Sequence, residues 1–456
     1  MQQMKETSQP RRLFGTDGIR GRAGAFPLDP DTVRAIGASV ARHIPATGER
    51  PRIVTGRDTR ESGESIERAF CDGAAGEGAE CVSAGVITTP GVAFVTGKFG
   101  FDAGVVISAS HNPFEDNGIK IFSPDGSKMN GEVERAIEAD VHGVPAGGGT
   151  TAGVELNGLF HSEYTEAYLD SLKERFATVD LRGIKAVIDC ANGAASNLAP
   201  GLFEHFGAEV VSLHCAPNGR NINKDCGSLH LEDLQGRVVA ENADVGIAFD
   251  GDADRALMVD EKGGMVDGDS ILWIMSGYLR SVGRLTSSKV IGTVMSNFGL
   301  EAAMTRMGIE LVRTPVGDKY VLEELLRSGA ELGGEQSGHI IFPKRSLVGD
   351  GMATALAVLR AITEKGVTLS ESADGFERTP QLLVNVRVRE KVPFEESADI
   401  ISAVKEVENE LGDTGRLLLR YSGTENLARV MVEGSDQVAI ENAANRLADV
   451  IRETLG

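Results

Sequence analysis

Ser110 and His111 stand together in Val106-Ile107-Ser108-Ala109-Ser110-His111-Asn112-Pro113, where an apolar run from Gly104 to Ile107 breaks into a small polar loop. A hydroxyl held at a strand end beside an imidazole can carry a transferred group covalently. A turn serine that caps backbone groups fits the same residues, since Asn-Pro closes turns. Asp250, Asp252 and Asp254 alternate just past a second apolar run. Carboxylates this close repel one another strongly unless a cation sits among them, and an all-oxygen set suits Mg2+ or Ca2+ rather than Zn2+. Glu261 falls where an EF-hand carries its last ligand, but Arg255 occupies the position where that loop needs glycine, and Ala256 to Val259 reads as a strand. A strand-end Mg2+ site, with positions left open for phosphate oxygens, is therefore preferred over a solvated acidic turn.

Two further clusters carry hydrogen-bonding chemistry. Gly334-Glu335-Gln336-Ser337-Gly338-His339 offers Glu335 and Ser337 to adjacent sugar hydroxyls, while His339 reads equally well as a hydrogen-bonded structural histidine. Arg420-Tyr421-Ser422-Gly423-Thr424-Glu425, with Arg429, combines hydroxyls, a glycine backbone and guanidiniums, which suits a phosphate dianion; a polar hairpin with incidental arginines is the plainer alternative. Gly317-Asp318-Lys319 is another charged turn, Gly15 to Gly21 presents Arg20, Gly56-Arg57-Asp58-Thr59-Arg60 adds basic charge, and Lys120 follows the Asn117-Gly118 turn. There is no Walker A loop and no dinucleotide fingerprint, so nucleotide-driven chemistry lacks support.

These loops need elements to aim them, and the chain supplies a threefold echo. Arg52-Ile53-Val54, Gly78 to Val82 and Asp102 to Val106 recur as Lys185 to Ile188, Gly207 to Val211 and Asp244 to Ile247, and again as Lys289 to Ile291, Gly308 to Val312 and Gly329 to Leu332. Short apolar runs alternating with helical stretches predict α/β units, and the third run of each copy leads into a reactive loop. Ligands of α/β sheets sit outside strand carboxyl ends, so three copies can face one cleft. From Val384 onward the pattern changes to βαββα: Val384, Val386 and Val388 alternate in a strand, Ile401, Val404, Val407 and Leu411 are spaced for a helix, two strands follow, and a last helix capped near Asp436 buries Val438, Ile440, Leu447 and Ile451. The predicted fold is α/β: three similar α/β domains with mixed sheets plus a smaller C-terminal α+β domain around a central cleft. The domains span 1–160, 161–260, 261–373 and 374–456, with boundary signals near Gly147 to Gly149 and Gly375.

The 456 residues, 41% hydrophobic and 25% charged, suit a soluble multidomain protein. A net charge of −21 disfavours nucleic acid and anionic membrane as partners. No long apolar span or export signal is evident. Cys71, Cys81, Cys190, Cys215 and Cys226 form no CxxC pair and fit a reducing cytoplasm.

Taken in order, Ser108 to Pro113, Asp250 to Arg255, Gly334 to His339 and Arg420 to Glu425 resemble the loops of the α-D-phosphohexomutases, from Leu13 to the C-terminal helix. Gly15 to Arg20, Gln336 and Asn221 to Ser228 lean toward the glucosamine branch, while Asn426 stands where the family usually has proline. The resemblance implies that Ser110 is the phosphoryl carrier, that Asp250, Asp252 and Asp254 hold Mg2+ beside it with Ser110 itself as a ligand, and that Glu335, Ser337 and His339 bind the sugar with Gly317, Asp318 and Lys319. It implies further that Arg420, Ser422, Gly423, Thr424 and Arg429 hold the remote phosphate, with Arg255 also at the substrate. The implied reaction interconverts glucosamine 6-phosphate and glucosamine 1-phosphate through a 1,6-bisphosphate, with glucosamine or glucose 1,6-bisphosphate as primer, supplying UDP-N-acetylglucosamine synthesis. Lys120 is the first candidate for general base, with His339 and Arg20 behind it and His111 as a positioning residue. The partners are sugar phosphates and, from the family, a second copy of the chain as a homodimer. A phosphomannomutase or phosphoglucomutase is the nearest alternative; a phosphatase and a silent sugar-phosphate sensor lie further off.

Overall fold

The computed structural model describes residues 12–143, 159–422 and 426–456; Gly147 to Gly149, Gly423 and Thr424 lie outside the described residues. The chain forms two compact units, one running to Ser287 and resuming over Val316–Ala373, the other comprising Ser288–Pro315 and Asp374–Gly456.

The first unit opens with β1 (Phe14–Gly15), β2 (Gly18–Arg22), α1 (Pro30–His43), β3 (Arg52–Arg57), α2 (Gly63–Gly76), β4 (Glu80–Val86), α3 (Thr89–Phe99), β5 (Ala103–Ile107), β6 (Asp116–Phe122) and α4 (Gly131–Gly143). The six strands form one sheet in the order β1-β2-β6-β5-β3-β4. β3, β4 and β5 run parallel, and β6 returns antiparallel to β5. Strand alternation assigns the two faces: Ile53, Val105 and Ile107 pack with Val33, Ile36 and Phe70 of α1 and α2, while Val54 and Val106 pack with Val92 and Val95 of α3. Local signals fix the helix ends. Asp29 caps α1 by accepting from the Thr32 N–H, Thr88 caps α3 by accepting from the Gly91 N–H, and Gly100 ends α3 in the left-handed region.

After α5 (Glu163–Arg175) come β7 (Lys185–Asp189), α6 (Ala199–His205), β8 (Glu209–Leu213), α7 (Glu232–Ala240), β9 (Val245–Phe249), β10 (Ala256–Asp260) and β11 (Met265–Val266). Their order is β11-β10-β9-β7-β8, again a parallel trio with an antiparallel return. α8 (Gly268–Ser281) follows. In the second unit, β12 (Lys289–Thr293), α9 (Phe298–Arg306) and β13 (Glu310–Thr314) make a parallel βαβ pair. The first unit then resumes with α10 (Asp318–Ser328), the antiparallel two-residue strands β14 (Gly333–Gly334) and β15 (Ile340–Ile341), α11 (Gly351–Lys365) and α12 (Leu369–Ala373). The echo extends to register. The first two strands of each copy place a basic residue opposite an acidic one at the same start: Arg52 opposite Glu80, Lys185 opposite Glu209, Lys289 opposite Glu310.

The chain ends in the second unit with β16 (Gln381–Arg387), α13 (Ala398–Leu411), β17 (Gly415–Tyr421), β18 (Leu427–Gly434) and α14 (Gln437–Leu455), in an antiparallel sheet ordered β16-β18-β17. Asp436 caps α14 as expected, accepting from the Val438 and Ala439 N–H groups. One apolar assignment needs correction, that of Val438 to the core, and Ile401 lies at the edge of its helix's buried face. Val438 is 65% exposed and Ile401 36% exposed. The buried stripes are Ile440, Ala443, Leu447 and Ile451 in α14, and Ile400, Ala403, Val407 and Leu411 in α13. Small alanines complete each stripe, and helical periodicity turns Val438 off the buried face and Ile401 to its edge. Among the described residues, no helix is long and apolar enough to cross a membrane.

Candidate active site

β5 is buried along its whole length and stops at Ile107. The loop beyond it is tied inward by a relay: Ser108 Oγ donates to Asp58 Oδ2 at 2.6 Å, and the Ser110 N–H donates to Ser108 Oγ at 2.9 Å. Ser110 has φ 54°, in the left-handed region. A non-glycine residue there costs on the order of 1–3 kcal/mol and persists only where its surroundings impose it. Here Arg60 Nη2 and Asn223 Nδ2 both donate to the Ser110 carbonyl, at 3.0 and 2.8 Å, and both also bind the Asn112 carbonyl. Gly251 packs against that carbonyl so closely that a Cβ would lie 2.5 Å from its oxygen. The Ser110 hydroxyl donates to Asp250 Oδ2 at 2.5 Å.

β9 ends at Phe249, and Asp250, Asp252 and Asp254 bring one oxygen each within 4.8 Å of one another, all three residues buried. Asp252 Oδ2 accepts from Thr89 Oγ1 at 2.5 Å and from Lys120 Nζ at 2.8 Å, and Asp254 Oδ2 accepts from Lys120 Nζ at 3.0 Å. Burial, then the charges of Asp254 and Asp252, pushes the Asp250 carboxyl well above the usual range. Asp254 goes the other way: burial opposes its charge, but Lys120, His339 and Arg255 outweigh it. Asp252 Oδ1 and Asp254 Oδ1 are buried with no hydrogen-bond partner. Repelling carboxylates with orphaned oxygens form an all-oxygen set fitted to a hard divalent cation.

Lys120, on β6, is buried and sits among Asp252, Asp254 and Asp17, the last at 3.2 Å. Burial would lower its pKa, but the three carboxylates hold it well above the ordinary value. In this arrangement it is an ammonium, so the neutral fraction that a general base needs is opposed by its surroundings. Arg20 pairs with Asp17, which also takes Lys128 at 2.6 Å. His111 Nδ1 lies 3.3 Å from Ser110 Oγ and accepts from Arg255 Nη1 at 3.1 Å. Burial, then Arg255 and Arg20, lowers its pKa to about 4, so the ring is neutral at physiological pH. Arg255 itself is driven upward: burial opposes its charge, and Asp254 and Asp250 outweigh it.

The sugar-directed loop joins this cluster through His339, whose Nδ1 is 3.7 Å from Asp254. Its Nε2 accepts the Gly349 N–H at 3.0 Å, a bond only the neutral ring can take. The pull on its pKa is upward, because Asp254 and then Asp318 outweigh burial; the Gly349 bond opposes that pull and directs Nδ1–H toward Asp254. Glu335 Oε1 accepts the Gly317 N–H at 3.0 Å, and Gly317 has φ 132°, which favours glycine. Ser337 Oγ is buried with no partner, a hydroxyl left for a ligand. Asp318 pairs with Lys128 at 2.5 Å and lies 3.6 Å from His339 Nε2. Lys319 turns elsewhere: its Nζ lies 3.9 Å from where a Gly131 Cβ would be, at the start of α4.

The second unit holds the remaining residues. Arg420 and Arg429 are directly opposed on β17 and β18. Burial, then Arg429, lowers the pKa of Arg420. Arg429 Nη2 reaches Ser422 Oγ at 3.5 Å, and Arg429 Nε is buried without a partner. Among the described residues neither guanidinium has a carboxylate partner, as an anion site requires.

Several residues have roles that the sequence did not assign to them. Asp17 gathers three cations, Thr89 supports Asp252, and Asn223 and Arg60 hold the Ser110 turn. The Arg57 to Arg60 charge is structural: Arg57 pairs with Glu67 at 2.6 Å and Arg60 with Asp58 at 3.2 Å. The supports for Ser110 and Asp252 come from residues distant in the chain, which only the fold brings together. Asp17 carried a signal, a carboxylate inside the glycine-flanked turn that presents Arg20.

Comparison with known proteins gives the family. Family models match in chain order: phosphoglucomutase/phosphomannomutase alpha/beta/alpha domain I over 11–145, domain II over 166–264, domain III over 267–379 and the C-terminal domain over 383–450. A phosphoglucosamine mutase of Solibacter usitatus is 48% identical over 97% of this chain and 99% of its own. One from Geobacillus kaustophilus is 46% identical over 98% and 99%. Among solved structures, a phosphoglucomutase/phosphomannomutase family protein from Burkholderia thailandensis superposes with a TM-score of 0.77 at 23% identity, covering 97% of each chain. An N-acetylphosphoglucosamine mutase of Aspergillus fumigatus, in complex with GlcNAc-6P and magnesium, gives 0.68 at 20% identity over 97% and 96%. With four domain models in order and near-full-length relatives at this identity, the chain belongs to the phosphoglucomutase/phosphomannomutase family of α-D-phosphohexomutases.

Proposed function

We propose that this protein interconverts glucosamine 6-phosphate and glucosamine 1-phosphate, with Ser110 as the phosphoryl carrier. The observation that carries the mechanism is the Ser110 hydroxyl, forced into a left-handed turn by Arg60 and Asn223 and set 2.5 Å from Asp250 in the carboxylate cluster. Phosphorylated Ser110 gives its phosphoryl group to O1 of the 6-phosphate. The Oγ–P bond breaks as the O1–P bond forms, with the O1 proton ending on Ser110 Oγ; after turning over, the 1,6-bisphosphate returns its other phosphoryl group to Ser110, and the Oγ proton ends on the sugar O6. Retention of that bisphosphate separates a mutase from a phosphatase, which would pass the group to water.

Asp250, Asp252 and Asp254 would hold Mg2+, with Ser110 beside them. When bound, the cation neutralises charge on the transferring phosphoryl oxygens. Burial and Arg255 keep His111 neutral, and Arg255 bonds its Nδ1 beside Ser110, which makes His111 a positioning residue. Lys120 presents its ammonium to the same oxygens; base work at the sugar hydroxyl needs that proton released, which Asp17, Asp252 and Asp254 oppose. Glu335, Ser337 and His339 would orient the sugar, and Arg420, Ser422 and Arg429 would hold the remote phosphate. All five cysteines are free thiols, in keeping with the cytoplasm as the place of reaction.

A coupled assay over glucosamine, glucose and mannose phosphates, primed with glucose 1,6-bisphosphate, tests the assignment. The highest kcat/KM is expected for glucosamine 6-phosphate, with EDTA abolishing turnover and Mg2+ restoring it. A preference for mannose or glucose phosphate would reassign the substrate, and net release of inorganic phosphate would replace the mutase with a phosphatase.

A further inference from the structure

A cavity of about 400 Å3 opens in the first unit, and no residue assigned above to the Ser110, carboxylate or sugar loops lines it. Its apolar wall comes from Met275 and Leu279 of α8, with Phe342 beyond β15. Its other wall is cationic, carrying Arg284, Arg345 and Arg360. Arg345 and Arg360 both lie over the Phe176 ring, each guanidinium carbon 5.7 Å from its centroid. Contact with the ring face attracts both cations without neutralising them.

The charges are not balanced locally. Among the described residues, neither Arg284 nor Arg345 pairs with a carboxylate. The acids nearby are committed: Glu331 takes the Thr286 and Ser287 hydroxyls, and Glu364 takes the Tyr278 hydroxyl at 2.6 Å and pairs with Arg360 at 3.4 Å. Arg360 is the one of the three that is partnered, with Nε facing Glu364 and Nη2 donating to Thr178 Oγ1. Burial, then Arg175, Arg360 and Arg284, lowers the pKa of Arg345, as mutual repulsion requires. In a chain of net charge −21, a cluster of three guanidiniums in which Arg284 and Arg345 lack a carboxylate is placed for an anion.

The volume and the walls narrow the class. A bare phosphate would leave the apolar wall unused, and an apolar ligand would leave the arginines unpaired. A cavity of this size takes a molecule larger than either. We propose that it binds a nucleoside phosphate, with the base against Met275, Leu279 and Phe342 and the phosphates on Arg284 and Arg345.

The test uses the full-length protein with Mg2+ and saturating glucose 1,6-bisphosphate, so that the sugar-phosphate site is filled. ADP, adenosine and pyrophosphate are titrated separately by calorimetry. ADP is expected to bind at one site per chain and more tightly than either fragment. Arg345→Ala and Arg284→Glu should each weaken ADP by at least about tenfold, the loss expected for a charge-assisted bond. Both variants should keep wild-type mutase kcat and KM, and Arg284 is exposed, so its replacement leaves the fold intact. Absence of ADP binding, ADP affinity unchanged in both variants, or pyrophosphate binding as tightly as ADP would overturn the proposal.

Discussion

Gly251→Ala probes the junction of the Ser110 and carboxylate loops without touching a reactive group. The added Cβ would stand 2.5 Å from the Ser110 carbonyl oxygen, 2.8 Å from Ile222 Cδ1 and 3.0 Å from Asn223 Nδ2. Ordinary contact begins at 3.4 Å, so the carbonyl and the loop must part by about 0.9 Å, the difference between 3.4 and 2.5. The Ile222 methyl can swing away. The carbonyl cannot, because Arg60 and Asn223 hold it. Overpacking of this kind costs about 1–3 kcal/mol, and a displacement of roughly 1 Å between reacting groups costs on the order of 100-fold in rate. We therefore expect kcat for glucosamine 6-phosphate to fall roughly 10- to 100-fold, with a modest drop in Tm. Gly236→Ala is the control: it lies in α7 with nothing within 4 Å of the added Cβ. It should stabilise by about 0.5–1 kcal/mol and leave kcat unchanged. Wild-type kcat in Gly251→Ala, with the control behaving as stated, would refute the claim that this carbonyl contact sets the distance between the two loops.

Three further outcomes follow from the same geometry. Ser110→Ala should lose at least about 10,000-fold in kcat while its Tm changes little, since only one hydroxyl leaves; near-normal turnover would remove Ser110 as carrier. His111 should titrate near pH 4 by 13C-labelled imidazole NMR, because burial and two arginines depress it. An unfolded histidine takes its proton at about 6.5, so this group's contribution to stability is complete above pH 6.5 and is lost as pH falls toward 4; a folded-state midpoint of 6.5 would contradict the arrangement. Arg429→Ala should raise KM for glucosamine 6-phosphate about 10- to 100-fold, the worth of a charge-assisted bond, and an unchanged KM would remove it from the phosphate site.

Reactive loops were legible in the sequence because each follows a strand whose apolar run ends in residues that no core would accept. Register was legible in part: the second strand of each copy opens on Gly-x-Glu, at Glu80, Glu209 and Glu310, so three copies could be aligned by order although the intervals between them differ. The supports were not legible. Asn223 is one amide in a polar segment until folding lays it on the Ser110 carbonyl, and Arg60 reads as surface charge until burial turns it into a clamp. The charge state of Lys120 was not legible for a similar reason. Spacing showed a lysine near a serine, but its charge state depends on Asp17, Asp252 and Asp254, which lie more than 100 residues away on either side. Val438 shows the opposite error, an apolar residue assigned to the core by type when periodicity places it in solvent.

Lys120 has one more consequence. A lysine tethered among the carboxylates gives the loop a counter-charge of its own, built into the chain. On the reading proposed above, a divalent cation would compete with that ammonium for Asp252 and Asp254. Its binding would thereby be tempered. The cation would then be held on loan, with an occupancy that follows its supply.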